Sequence, residues 1–106
     1  LAELSPAVEL ELDVYWAAAG GPDPAAEIRT HPDRIRLLHV KDRAPDEEED
    51  DEPRDAPVGD GVLPIGDIIH AGRSSGVEWY VVEQDVPADP LVDIGRSFAY
   101  LSDAAQ

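Results

Sequence analysis

The sequence of 106 residues contains no cysteine and only one lysine, Lys41. Without cysteine the chain forms no disulfides, and thiolate metal ligands and cysteine nucleophiles are excluded. No apolar run approaches the ~20 residues that a membrane-spanning helix needs, and no basic stretch followed by an apolar one marks a leader. We therefore expect a soluble, cytoplasmic protein.

Positive charge is scarce. Eight Lys and Arg residues stand against 24 Asp and Glu residues, which gives a formal net charge of −16. Such a chain repels the phosphates of nucleic acids, which argues against electrostatic nucleic-acid binding. In about 1 M salt the Debye length falls to ~3 Å, so that self-repulsion between acidic groups is screened. The composition therefore predicts a halophilic source.

Acidic residues are densest in residues 46–55, where eight of the ten are Asp or Glu. A run of this composition cannot bury apolar surface, and it predicts an acidic mobile loop over residues 46–57. Specific calcium binding is the alternative interpretation, but the run lacks the glycine and the alternating oxygen donors of an EF-hand loop. A solvated insertion is favoured.

Three runs with strand character alternate with three helix signals. The strand runs are residues 8–14, 35–42 and 79–85, and the helix signals are Asp23-Pro24, Pro64 and Asp89-Pro90. Aspartate caps and proline at the first helical position are typical of helix starts. Strand followed by helix, three times, predicts an α/β fold of parallel βα units with right-handed crossovers.

A polar residue lies near the end of each strand run: Asp13, His39 and Glu83. In parallel α/β folds, functional residues collect at the carboxyl ends of the strands. Because side chains alternate along a strand, these three can face one interior if their strands are neighbours. Oxygen and nitrogen donors of this kind suit Mn²⁺, Mg²⁺, Co²⁺ or Zn²⁺. The pattern predicts a divalent-metal site.

Four segments, in order along the chain, resemble the sugar phosphate isomerase/epimerase family, which has a xylose isomerase-like TIM barrel. They are residues 11–16, 39–42, 58–61 and 82–85. The resemblance implies that residues 1–106 are the C-terminal part of the barrel domain, its last three βα units in a TIM (β/α)8 barrel. Such units expose strand edges and apolar faces. We therefore expect the chain to be marginally stable, or to associate with itself, unless it pairs with a missing N-terminal barrel portion.

The same resemblance implies roles for the polar residues at the strand ends. Asp13, His39 and Glu83 correspond to three of four metal ligands, and Glu83 also to a catalytic acid or base. The fourth ligand in the family is a glutamate on an earlier strand, for which this chain has no residue. The implied substrate is a small sugar or sugar phosphate.

Four further residues are candidates for substrate binding. Lys41 shares a strand face with His39 and is suited to hold a substrate oxygen or carboxylate. Trp16 occupies a position at which several ketose epimerases of the family carry a substrate-contacting histidine. Gly59 and Gly61 allow a tight loop whose backbone approaches the ligand closely. A surface ion pair between Lys41 and Asp42 is the alternative for that lysine.

The chemistry implied for the whole enzyme is proton transfer next to a carbonyl group. A divalent cation bound by the substrate oxygens stabilises the developing enediolate as a Lewis acid, and Glu83 delivers or removes the proton. Isomerisation, epimerisation and dehydration share this first step, so an inosose dehydratase-like lyase is an alternative within the fold. An endonuclease of the apurinic-site class is disfavoured by the few histidines and the net charge. The alternative from another class is a non-catalytic acidic α/β module that binds cations or a basic partner.

Overall fold

The computed structural model describes residues 5, 7–21, 23–45, 54–85, 87 and 89–104. Most of the predicted acidic loop, residues 46–53, lies outside them. In chain order the elements are β1 (Leu10–Asp13), α1 (Val14–Ala19), α2 (Pro24–Thr30), β2 (Ile35–Val40), β3 (Asp42–Arg43), β4 (Asp55–Ala56), α3 (Ile65–Ser74), β5 (Trp79–Val82) and α4 (Pro90–Ala104).

The central feature is a three-stranded sheet in the order β1-β2-β5, in which both pairs of neighbouring strands are parallel. Helices α1 and α2 connect β1 to β2, and helix α3 precedes β5. Parallel strands that alternate with helices confirm the predicted α/β fold, and an open sheet of three strands is consistent with part of a TIM barrel.

The two faces of this sheet differ in chemistry because side chains alternate along each strand. Leu12, Leu38 and Tyr80 are register partners on the face that packs against the helices. The next residue along each strand points to the opposite face. These register partners are Asp13, His39 and Val81. One face therefore builds the core, and the other carries the polar residues at the strand ends.

The core lies between the sheet and helices α2 and α3. Leu38 and Val40 of the central strand are fully buried, as are Ile28 of α2 and Ile68 of α3. Helix α2 begins as predicted, because the Asp23 Oδ1 atom accepts a hydrogen bond from the Ala25 backbone N–H at 3.0 Å. The cap fixes the start of a helix whose apolar residues reach the sheet.

Two short elements differ from the sequence predictions. Helix α1 follows β1 without a loop and was not predicted. Residues 55–56, assigned to the mobile loop, instead form β4, which pairs antiparallel with β3. Ala56 is 8% exposed, so pairing and burial hold this end of the predicted loop in place. The loop prediction is therefore wrong for residues 55–56.

Helix α4 turns apolar side chains toward solvent. Leu91 is 85% exposed, Ile94 58% and Phe98 71%. Phe98 also lines an apolar groove of about 510 Å³ together with Tyr80 of β5. None of the helices in the described ranges combines the length and apolar character needed to cross a bilayer.

Candidate active site

Asp13 has two functions at the end of β1. Its Oδ1 atom accepts hydrogen bonds from the backbone N–H groups of Tyr15 at 3.0 Å and Trp16 at 3.1 Å, and so caps helix α1. Aspartate is among the preferred N-cap residues because its oxygen satisfies N–H groups that have no partner within the helix. The other oxygen, Oδ2, lies 3.4 Å from Lys41 Nζ. The cap therefore orients a second oxygen toward the centre of the site.

His39 lies between two glutamates. Its Nδ1 atom is 3.1 Å from Glu83 Oε2, and its Nε2 atom is 3.3 Å from Glu11 Oε2. The hydrogen bond with Glu11 raises the pKa of His39 above its usual value, burial opposes this, and the bond with Glu83 adds to the increase. An imidazolium donates from both ring nitrogens, which matches one carboxylate on each side.

Lys41 is buried, with 2% of the residue exposed. Its ammonium lies 2.9 Å from Asp85 Oδ2, 3.4 Å from Asp13 Oδ2 and 3.8 Å from Glu83 Oε2. Burial by itself lowers the pKa of Lys41, but the hydrogen bond with Asp85 and the neighbouring carboxylates outweigh it, so the pKa is raised. Lys41 therefore carries a positive charge at the centre of an acidic cluster.

An aromatic pair borders the ammonium. The Lys41 Nζ atom lies 5.6 Å from the centre of the Tyr15 ring and 5.9 Å from that of Trp16. Both distances are within the range of a cation–π contact. Trp16 is 59% exposed, so its predicted position beside the site leaves ring surface open to a ligand. Its role in substrate binding stays a prediction.

The Asp42 carboxylate binds the backbone of the loop that follows strand β4. Its carboxylate accepts backbone N–H bonds from Arg43 at 2.8 Å, Gly59 at 3.0 Å, and Gly61 and Leu63 at 3.1 Å each. Asp42 is 1% exposed, so the alternative of a surface ion pair with Lys41 is wrong. Four donors replace the water that a buried carboxylate loses.

The two glycines predicted to contact substrate are held by this carboxylate. Gly59 has a φ of +98°, and Gly61 is packed so closely that a Cβ atom would overlap the Arg43 carbonyl oxygen and the Asp42 carboxylate. Glycine is needed at Gly59 for its left-handed backbone and at Gly61 for lack of space. The structure thus gives both glycines a reason that does not involve a ligand, and their contact with substrate stays a prediction.

Of the three predicted ligands, His39 contacts Glu83 directly, and Lys41 lies between Glu83 and Asp13. Glu83 links the set, because its Oε2 atom contacts both His39 and Lys41. Sequence reasoning missed Asp85 as a partner of Lys41 and Glu11 as a partner of His39. The available signal was the alternation of side chains along a strand. It places Glu11 on the same face as Asp13, and Asp85 on the same face as Glu83.

A divalent ion here would require several donors around one point. Within the described ranges, no group of three or more His, Asp and Glu side chains is arranged to hold a metal ion. The donors are nevertheless of the right kind, because Asp13 and Glu83 each direct an oxygen at one cation, the Lys41 ammonium. His39 Nδ1 lies within 3.1 Å of the same Glu83 oxygen. These residue types are ones that divalent ions accept, but their arrangement does not fit an ion: Lys41 engages the Asp13 and Glu83 oxygens, and both ring nitrogens of His39 face carboxylates.

Comparison with known proteins gives matches of two kinds. A protein-family model described as xylose isomerase-like TIM barrel matches residues 1–104. Two crystal structures of a sugar phosphate isomerase/epimerase from Parabacteroides distasonis each superpose with a TM-score of 0.70 at 30% sequence identity. They cover 89% and 90% of this chain, whereas this chain covers only 30% and 31% of theirs. No match was found among curated proteins.

Proposed function

Because this chain belongs to the xylose isomerase-like TIM barrel family, we propose that it is part of a divalent-metal-dependent isomerase or epimerase that acts on a sugar or sugar phosphate. The observation that carries the proposal is the chain of contacts His39–Glu83, Glu83–Lys41 and Lys41–Asp13 at the carboxyl ends of parallel strands. The two similar crystal structures support the substrate class. A cytoplasmic location and a halophilic source stay predictions from composition.

In this proposal Asp13, His39 and Glu83 hold a Mn²⁺, Mg²⁺, Co²⁺ or Zn²⁺ ion. When bound, the ion acts as a Lewis acid on substrate oxygens and makes the neighbouring C–H group more acidic. Oδ2 would be the Asp13 oxygen available to such an ion, because Oδ1 is engaged as the cap of α1. The remaining ligand comes from a part of the barrel other than residues 1–106.

The proton is moved by Glu83. Its side chain is 40% exposed, so that a substrate in the open face of the sheet can reach the carboxylate. A carboxylate beside a cation can take up a proton and return it to a neighbouring carbon. Lys41 stays the proposed contact for a substrate oxygen or carboxylate, which would have to replace one of its three carboxylate partners. Isomerisation, epimerisation and an inosose dehydratase-like dehydration all begin with this proton transfer.

The binding test is calorimetric titration of the 106-residue chain with Mn²⁺. We expect one ion per chain, and we expect His39→Ala to weaken binding by about 100-fold or more, since loss of groups that only support a metal ligand already costs about 10–100-fold. Affinity should also fall as the pH is lowered through the raised pKa of His39, because a protonated imidazole cannot bind metal.

His70→Ala is the matched control, because His70 is exposed on helix α3 and its loss should leave Mn²⁺ binding unchanged. Weak binding of several ions that survives His39→Ala, but decreases when residues 46–55 are removed, would contradict the proposal. That result would instead support a non-catalytic acidic module that binds cations.

We also propose that the exposed apolar residues of α4 are covered by the rest of a barrel in the complete protein. The support is the high exposure of Leu91, Ile94 and Phe98 and the short coverage, about 30%, of the similar structures. Uncovered apolar surface of this kind favours association. In the complete protein the N-terminal barrel portion would bury α4, whereas the chain by itself would bury it against a second copy.

Sedimentation velocity tests this prediction. We expect the isolated chain to form dimers or larger species at micromolar concentration, because burial of apolar surface drives association. Phe98→Glu should shift the distribution toward monomer. Ala26→Glu adds the same charge at an exposed position of α2 and should leave the distribution unchanged. A compact monomer of the unmodified chain that unfolds cooperatively would count against the prediction.

A further inference from the structure

Three exposed carboxylates at the proposed site offer hydrogen-bond acceptors to a ligand. The side chains of Glu11, Glu83 and Asp85 are 67%, 40% and 56% exposed. Their contacts with His39 and Lys41 each use one oxygen, Oε2 or Oδ2. An ionised carboxylate has two oxygens and only accepts hydrogen bonds. A ligand that approaches these carboxylates therefore has to supply donors, as the hydroxyl groups of a sugar do.

Negative charge is in excess around Lys41 and His39. These two groups contact four different carboxylates, those of Glu11, Asp13, Glu83 and Asp85. Even with both groups protonated, the cluster keeps two excess negative charges. A phosphate monoester carries a charge of about −1.5 to −2 at pH 7, and its free oxygens are strong acceptors. The cluster therefore repels a phosphate group and gives it few donors.

The loops that follow β2 and β5 have the same excess of acidic residues. In TIM barrels a phosphate group is frequently bound by the loops after the seventh and eighth strands, and the sequence resemblance makes β2 and β5 these two strands. Residues 41–64 and 83–89 contain thirteen acidic residues and three basic ones. Beside these loops, the Arg96 guanidinium is bound by Asp60 at 2.6 Å. The charge of these loops therefore disfavours the phosphate that such loops bind elsewhere.

Trp16 gives a ligand an apolar surface next to the carboxylates. Its ring is 59% exposed, and the buried Tyr15 ring packs edge-on against it, with 4.9 Å between the ring centres. The Trp16 ring centre, Glu83 Oε2 and Asp85 Oδ2 lie 5.9, 3.8 and 2.9 Å from the same Lys41 Nζ atom. The C–H face of a sugar can pack on an indole ring while its hydroxyl groups donate to the carboxylates.

We infer that the substrate is an unphosphorylated sugar, which packs its C–H face on Trp16 and donates hydroxyl groups to the exposed carboxylates of Glu11, Glu83 and Asp85. The inference rests on the proposed function and narrows its substrate class, a sugar or sugar phosphate, to the neutral member. It does not depend on a bound metal ion, because the aromatic ring and the acceptors belong to the chain.

Matched pairs of sugars test the inference by NMR of the ¹⁵N-labelled chain. The probes are D-fructose with D-fructose 6-phosphate, and D-ribulose with D-ribulose 5-phosphate. The chain has two tryptophans, and the indole N–H signal that Trp16→Ala removes belongs to Trp16. We expect a neutral sugar to shift this signal to saturation, with a dissociation constant at least about 10-fold below that of its phosphate in about 0.1 M salt. In about 1 M salt, where the Debye length falls to about 3 Å, the ratio should fall to about two-fold.

Variants separate the packing on the ring from the effect of charge. Trp16→Ala should weaken binding of the neutral sugar by about 10-fold or more, measured on backbone amide signals, because the apolar surface is lost. Phe98→Ala is the matched control, since it removes an exposed aromatic ring from helix α4 and should leave sugar binding unchanged. Equal losses in the two variants would overturn the role of Trp16.

The charge is tested by Glu11→Gln combined with Asp85→Asn, which keeps the shape of both side chains. The ratio between the phosphorylated and the neutral sugar should then shrink by about 5-fold in about 0.1 M salt, the effect of one pair of unit charges about 4 Å apart in water. A ratio that does not change would mean that these carboxylates do not select against phosphate, and would overturn the inference.

The inference and the proposed function fail in different ways. Tighter binding of the phosphorylated sugars in low salt would overturn the inference and leave an isomerase or epimerase of sugar phosphates in place. If neither member of either pair binds, the inference fails as well, and the Mn²⁺ titration decides the metal-dependent function independently.

Discussion

Asp42→Ala is expected to lower the free energy of unfolding by about 3–5 kcal/mol, the usual cost of removing one partner from a buried charged interaction. The carboxylate accepts from four backbone N–H groups, of residues 43, 59, 61 and 63. Alanine leaves these donors buried without an acceptor, and only water entering the cavity can compensate in part. Urea unfolding followed by circular dichroism measures the change.

Asp67→Ala is the matched control. Asp67 is a half-exposed carboxylate that pairs with Arg29 at 2.7 Å, and exposed pairs contribute little because water and salt screen them. Asp67→Ala should change the free energy of unfolding by a small fraction of the change caused by Asp42→Ala. Equal effects of the two substitutions would mean that the loop of residues 59–63 does not depend on Asp42.

Leu38→Ala should cost about 2–5 kcal/mol, the usual range for removing a large apolar side chain from a core. Leu38 is fully buried and lies on β2, the only one of the three parallel strands with a neighbour on both sides. Leu38 belongs to the buried cluster that also contains Ile28 of α2 and Ile68 of α3, so alanine would leave a cavity inside the core. The same urea titration measures the loss.

Leu91→Ala makes the same chemical change at a residue that is 85% exposed on α4. At a protein concentration low enough to keep the chain monomeric, we expect a change within about 0.5 kcal/mol, as at most surface positions, because little apolar surface is removed from contact with protein atoms. If Leu91→Ala destabilised the chain as much as Leu38→Ala, helix α4 would be covered in solution. That outcome would support self-association through this helix.

Much of the fold could be predicted because its signals are local. The Asp23 cap, the prolines at helix starts and the apolar runs each act within a few residues, and helices α2, α3 and α4 begin where these signals stand. Helix α1 has no proline or glycine signal of this kind, and its cap, Asp13, also ends a strand. Asp13 both ends strand β1 and caps helix α1. The sequence pattern around it was interpreted only as the end of a strand, so the helix was missed.

The site could be predicted in part. Strand parity predicted Asp13, His39 and Glu83 on one face; Asp13 and His39 are register partners, and His39 contacts Glu83. What escaped prediction were the partners: Asp85, which lies 44 residues from Lys41 along the chain, and the loop donors of Asp42, which lie up to 21 residues away. Sequence spacing carries no information on which of many carboxylates a lysine will meet.

The sequence by itself determined the three parallel strands, the starts of helices α2, α3 and α4 and which residues could carry charge, because caps, turns and side-chain alternation act over a few residues. Only the tertiary structure decided that the one lysine lies among Asp13, Glu83 and Asp85 and that Asp42 holds a loop. The reason is physical: a buried charge takes whichever partners the folded sheet brings within reach. Distance along the chain does not limit that choice.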